Sequence, residues 1–162
     1  MMSAAIRPIV AVVCVGWVAL QAVTVLVVNP SATNSLLDLV VAGSAYLAGG
    51  IVCHQLPERS FHVGGAQWPV CARCAGVYAG AALTALVSAL APLRTLEVAA
   101  IARVRTVLVV AVLPSVATLV YEGAAGLAPT NVIRASAGAP LGAIVTWVVV
   151  AACAPRVGVE VH

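Results

Sequence analysis

Apolar residues in this chain come in long, nearly unbroken runs, without the every-third-or-fourth spacing of a helix that keeps one wet face. Five such runs can be read. The first, about 8–28, is "PIVAVVCVGWVALQAVTVLVV", with Pro8 near its start and Asn29-Pro30 closing it. The second, about 36–53, follows "SATNSLLD", where Ser31, Thr33, Asn34 or Ser35 is placed to cap a helix and Asp38 falls in its positive first turn. The others cover about 74–93, 104–122 and 132–154. About 20 apolar residues cross a bilayer as a helix. Lipid offers no water to unpaired backbone groups, so the runs are predicted as helices, and the alternating pattern of a membrane barrel is missing. The expected fold is all-α, an integral membrane helical bundle of about five transmembrane helices. Residues 1–162 are expected to form a single membrane domain, with a polar site loop at 53–73 between the second and third helices. The first run is too long for a signal-peptide core and lacks a clean cleavage site after it, so it is expected to be retained.

Composition strengthens this reading. Of the 162 residues, 63% are hydrophobic and only 8% charged, where a soluble domain carries roughly a quarter charged. All eight basic residues are arginines, and they are too few and too scattered for nucleic acid, which is excluded as a partner. The partner implied is the lipid bilayer, and the expected location is the cell membrane, as a multi-pass protein. Small residues recur four apart at Gly76/Gly80 and at Gly138/Gly142, a spacing that lets helix backbones approach closely. Alternating crossings put the 53–73 segment on the same face as the 122–131 connection. Setting aside the arginines of the polar site, the remainder place 94–105 on the cytoplasmic side and the polar site outside.

The polar segment carries the chemistry. "CHQLPERSFHVGGAQWPVCARCAGVYAG", 53–80, gathers three of the five cysteines. Cys14 and Cys153 sit alone in apolar runs and read as small buried hydrophobes. Cys71-Ala-Arg-Cys74 is a C-x-x-C pair that runs straight into a helix, and Cys53-His54 lie at the end of the preceding one. Three cysteines and one histidine are a tetrahedral zinc set, so Cys53, His54, Cys71 and Cys74 are the candidate metal ligands and zinc the candidate cofactor. Gln55, Ser60 and Gln67 are placed to hydrogen-bond around that set. The same thiols are open to a redox or disulfide reading. Haem attachment is excluded because Ala75 follows Cys74, and the zinc deaminase pattern is absent.

Charged groups at membrane depth need partners. Glu122 ends the fourth run, and Arg134 opens the fifth, with Asn131 three residues earlier on the same face. Glu122 is expected to pair with Arg134, Arg73 or Arg59. Arg59, Arg73, Asn131 and Arg134 are also candidate contacts for an anion, an anionic lipid or a small-molecule substrate. If three ligands left one metal position open to water, the reaction would be metal-assisted hydrolysis at the membrane face, with Glu122 as the candidate catalytic base.

The run "CHQ…RSF…G…Q…P.CARC.G.Y.G" resembles the signature of a family of small bacterial and archaeal membrane proteins, domain of unknown function 2085. A later block is similar too. Glu122-Gly123 stands where the family has Asp-Gly, and Pro129-Thr130-Asn131 stands for Ser-Thr-Asn, followed by Arg134 and Gly138. The resemblance covers about 50–142. It implies a membrane protein of several spans and brings no established activity. Two further classes therefore stay beside the metal-binding one: a membrane thiol-disulfide redox protein, and a lipid- or anion-binding accessory protein.

Overall fold

The computed structural model describes residues 2–28, 35–90 and 99–153. The chain is all-α apart from one small hairpin. In order it forms α1 (Met2–Val27), α2 (Leu36–Val52), a 3-10 turn (Pro57–Arg59), β1 (Ser60–Val63), β2 (Ala66–Cys71), α3 (Ala72–Leu90), α4 (Ala99–Ala125) and α5 (Asn131–Ala152). The expected five membrane helices are five helices, and four of them are long and apolar enough to cross a bilayer: Ile6–Val27, Ala72–Leu90, Arg103–Ala125 and Asn131–Ala152. The second, α2, has 17 residues. Ser35 caps it, accepting from the Asp38 amide at 3.2 Å while Asp38 accepts from the Ser35 amide at 2.9 Å. Such a box contributes about 1 kcal/mol. The other capping candidates, Ser31, Thr33 and Asn34, lie outside the described residues, as do Arg94 and Arg156.

The centre of the bundle is the seam between α3 and α5. The two glycine pairs read from the sequence face each other's helix across it. A Cβ added at Gly76 or Gly80 would overlap the carbonyl of Ala135 or Ala139, and one at Gly138 or Gly142 would overlap that of Arg73 or Val77. Contact rises in number together on the two helices, so α3 and α5 run parallel. In lipid there is no hydrophobic gain from pairing helices, and close backbone packing of this kind replaces it. A second link closes α4 onto α5: the Ser115 hydroxyl donates to the Ala137 carbonyl at 2.9 Å.

Helix α1 runs the other way along α3. Trp17 meets Tyr78 edge to face at 5.8 Å, and four residues later Gln21 accepts from the Trp68 indole N–H at 2.8 Å. The C-terminal end of α1 therefore lies at the start of α3, on the site face. Cys53, the C-cap of α2, lies there too, beside Cys71. Residues 53–71 and 122–131 share this face, as expected, because the crossings of α3 and α4 alone set it. The hairpin packs against α2, with the Tyr46 hydroxyl donating to the Gln67 carbonyl and Gly49 close under Pro69. Its turn is Gly64-Gly65, both at positive φ (58° and 84°), the conformation a two-residue hairpin turn needs.

Candidate metal centre and its arginine cluster

The loop after α2 sets the site. Cys53 is extended (φ −140°, ψ 140°), with its amide donating to the Gly49 carbonyl at 2.9 Å. In extended backbone, successive side chains leave on opposite sides. Cys53 is accordingly buried, and His54 is exposed. Gln55 then takes a left-handed φ of 49°, uncommon for a side chain of its kind. Its amide group holds that turn, donating to the Tyr46 and Pro69 carbonyls at 2.7 Å each. Gln67 donates to the Gln55 carbonyl at 2.6 Å, and Ser60 to the Leu56 carbonyl at 2.9 Å. These three polar side chains were expected to ring the metal ligands. Most of the bonds they make are to backbone carbonyls of α2, the loop and β2, and Gln67 also donates to the Ser60 hydroxyl at 3.3 Å.

Three sulfurs meet where the loop, β2 and α3 converge. The Sγ atoms of Cys53, Cys71 and Cys74 all lie within 4.8 Å of one another. Around an ion with bonds of ~2.3 Å, tetrahedral sulfurs sit roughly 3.8 Å apart, so small side-chain rotations would close the trio on a metal. The Cys71 amide donates to the Cys53 sulfur at 3.1 Å. Cys71, the last residue of β2, is held well below the usual thiol range, at about 5: the Cys74 thiol bonded to it is the largest cause, and burial opposes it. His54, expected as the fourth ligand, is not part of the cluster.

A second cluster lies beside the first and shares one turn of α3 with it. Arg73, between Cys71 and Cys74 in sequence, reaches Glu122 at 3.5 Å and donates to the Thr118 hydroxyl at 3.0 Å. Arg134, only 3% exposed, places its Nε 2.8 Å from the same carboxylate oxygen. Arg59 approaches the other oxygen at 3.7 Å. Arg134 is also steadied by Asn131 Oδ1 at 3.3 Å, and Asn131 donates to the Ser60 carbonyl at 2.8 Å, tying the start of α5 to the hairpin. All five polar residues singled out from the sequence, Arg59, Arg73, Glu122, Asn131 and Arg134, thus meet in one place. Glu122 was expected as a base; here both its oxygens face guanidinium groups.

The sequence reading missed Thr118 and Ser115. Their signal was legible: Ser115, Thr118 and Glu122 fall at i, i+3 and i+7, one stripe of an otherwise apolar α4. It missed the hairpin as well, though Gly64-Gly65 between "SFHV" and "AQWPVC" is a hairpin signal.

The profile of the family described as "Predicted membrane protein (DUF2085)" matches residues 53–148, more than half of the chain. This chain is a member of that family. The match starts at Cys53 and takes in every residue of both clusters. Two archaeal relatives are similar over shorter stretches. An uncharacterized protein of Methanocaldococcus jannaschii is 49% identical over 35 residues, 22% of each chain. An uncharacterized protein of Methanothermobacter thermautotrophicus is 44% identical over 43 residues, 26% of this chain and 39% of that one. The similarity thus spans well under half the length of either relative. No solved structure matches the chain.

Proposed function

We propose that this DUF2085 protein is a multi-pass protein of the cell membrane that holds one zinc ion at a membrane face, with Cys53, Cys71 and Cys74 as its protein ligands. The observation that carries the reading is the convergence of three sulfurs from three separate elements to within 4.8 Å in a chain with five cysteines. Gathering thiols at a lipid boundary is costly for thiolates unless a cation neutralises them. Zinc fits because it accepts sulfur ligands, has no redox demand and adapts to the geometry offered. With His54 turned outward, the fourth position falls to water or a substrate atom, the pattern of catalytic zinc sites in place of closed structural ones. The reaction class this supports is metal-assisted hydrolysis at the membrane face. Glu122, bracketed by arginines, serves in this reading to hold them in place.

Cobalt(II) substitution tests the ligand set. The full chain, purified without chelator and exchanged with cobalt, should show intense thiolate-to-metal absorption that falls stepwise in Cys53→Ser, Cys71→Ser and Cys74→Ser. The lowered Cys71 thiol favours a second reading, thiol exchange, since the thiolate is the attacking form. A native membrane sample in which Cys71 and Cys74 are trapped as a disulfide, with no cobalt absorption after reduction, would select that reading.

A further inference from the structure

Three guanidinium groups converge on one carboxylate. Arg134, Arg73 and Arg59 stand 2.8, 3.5 and 3.7 Å from Glu122, whose side chain is 11% exposed. Two positive charges are left over. A zinc ion bound by three thiolates would carry one net negative charge beside Arg73, and one guanidinium would still lack a counter-ion. Among the described residues, Glu122 is the one acid paired with these arginines. An uncompensated cation at membrane depth is costly.

The donors are in excess as well. Arg134 Nη2 and Arg73 Nε are buried and have no hydrogen-bond partner. The nearby acceptors are already engaged: Thr118 Oγ1 by Arg73, and Asn131 Oδ1 and the Glu58 carbonyl by Arg134. Buried charged donors left unpaired in a native structure point to a missing acceptor. The first turn of α5, capped by Thr130, adds the positive end of a helix dipole to the same place.

A cleft opens next to the cluster. It has a volume of about 510 Å³ and is lined by Thr118, Tyr121, Pro129, Thr130 and Ile133, among others. Thr118 belongs to both, accepting from Arg73 and lining the cleft. The lining is mostly apolar, and the cluster reaches it only through Thr118. Planar guanidinium groups pair with phosphate through two parallel bonds, and an apolar cleft beside them leaves room for a tail.

We infer that the Arg59–Arg73–Arg134 cluster binds a phosphate-class oxyanion, and that Glu122 is the internal anion that holds the arginines in place and competes with the ligand for them. Arg134 and Arg73 supply the unpartnered donors. Arg59, with 45% of its side chain exposed, is the arm able to move onto the ligand. The inference is independent of the metal, since none of the three arginines is a ligand in the thiol trio. The phosphate can belong to a lipid headgroup or to a free ion.

Two arms of one experiment test the site and separate its sources. Full-length protein in a nonionic detergent is unfolded thermally in inorganic phosphate and, at matched ionic strength, in chloride. The same protein is extracted from vesicles of phosphatidylcholine, with or without phosphatidylglycerol, and weighed by native mass spectrometry. Phosphate should raise the unfolding midpoint above chloride, and the gain should be larger in Glu122→Gln, where the competing carboxylate is gone. Arg59→Gln, half exposed and safe for folding, should weaken the phosphate response roughly tenfold, the loss of one charge-assisted bond. A phosphate response without retained lipid assigns the free ion. One phosphatidylglycerol retained per chain, and lost in Arg59→Gln, assigns the headgroup. Phosphate acting no better than chloride in either protein, together with no phospholipid retained or with retention unchanged in Arg59→Gln, overturns the inference.

Discussion

The two polar clusters on the site face are built oppositely, although one turn of α3 contributes to both. The thiol trio concentrates potential negative charge, and its members come from a helix end, a strand end and a helix start. The arginine cluster concentrates positive charge around a single acid, on side chains from the loop, α3, α4 and α5. The trio is positioned by the loop and hairpin, which Gln55, Gln67 and Tyr46 tie down, with the Cys71 amide bonded to Cys53. The arginine cluster is braced by the glycine seam, which brings Arg73 and Arg134 to the same level of parallel helices. The difference teaches a division of labour. Glu122 gathers arginines from three elements where the helices meet the polar loop and leaves guanidinium charge over for an anion, while the thiol trio beside it is suited to a cation.

That division can be broken from the arginine side first. Arg134→Ala removes the nearest and most buried partner of Glu122, which keeps Arg73 and Arg59 at 3.5 and 3.7 Å, so the loss is that of one buried charge-assisted bond, on the order of 2–3 kcal/mol. Denaturant unfolding in detergent should show that loss. The companion Glu122→Gln with Arg134→Gln should cost less than the sum of the single changes; simple additivity in the cycle would mean that the two do not couple. Gly142→Val should come next, at roughly 1–3 kcal/mol, because its side chain enters the Val77 backbone and forces the seam apart. If the clusters share that brace, Gly142→Val should also lower metal retention, although it lies far from any thiol in sequence. Arg59→Gln should have the smallest effect on stability, under about 1 kcal/mol, since its ion pair is long and half exposed. A loss as large as that of Arg134→Ala would show that the three arginines are equal partners, contrary to the burial gradient.

The helices and most site residues were legible because lipid imposes a simple rule: apolar runs become helices, and any charge within them must find a partner. Glu122 and Arg134 were readable as a pair for that reason. The glycine pairs were readable as packing sites, but only the fold shows that they pack against each other's helix. Three features were hidden for physical reasons. His54 looked like a ligand because it adjoins Cys53, yet the extended C-cap sends neighbouring side chains to opposite sides. Gln55, Ser60 and Gln67 looked like an outer ring for a metal. Backbone carbonyls of α2 and the loop take their donors, a demand invisible without knowing where the loop turns. The place of α2 depended on the direction of α1, which is set by the Trp17–Tyr78 and Gln21–Trp68 contacts and not by any pattern in hydropathy.

The central claim is that Cys53, Cys71 and Cys74 hold a metal, and that the Glu122–arginine cluster beside them takes no part in holding it. Metal content and free thiols should be measured together, by mass spectrometry, on the full chain purified gently without chelator. The account predicts about one zinc per chain, lost in Cys71→Ser and in Cys74→Ser with the unfolding midpoint of the arginine-braced bundle largely kept, and retained in Arg59→Gln. Native protein without metal, its three thiols free or two of them joined as a disulfide, would contradict it.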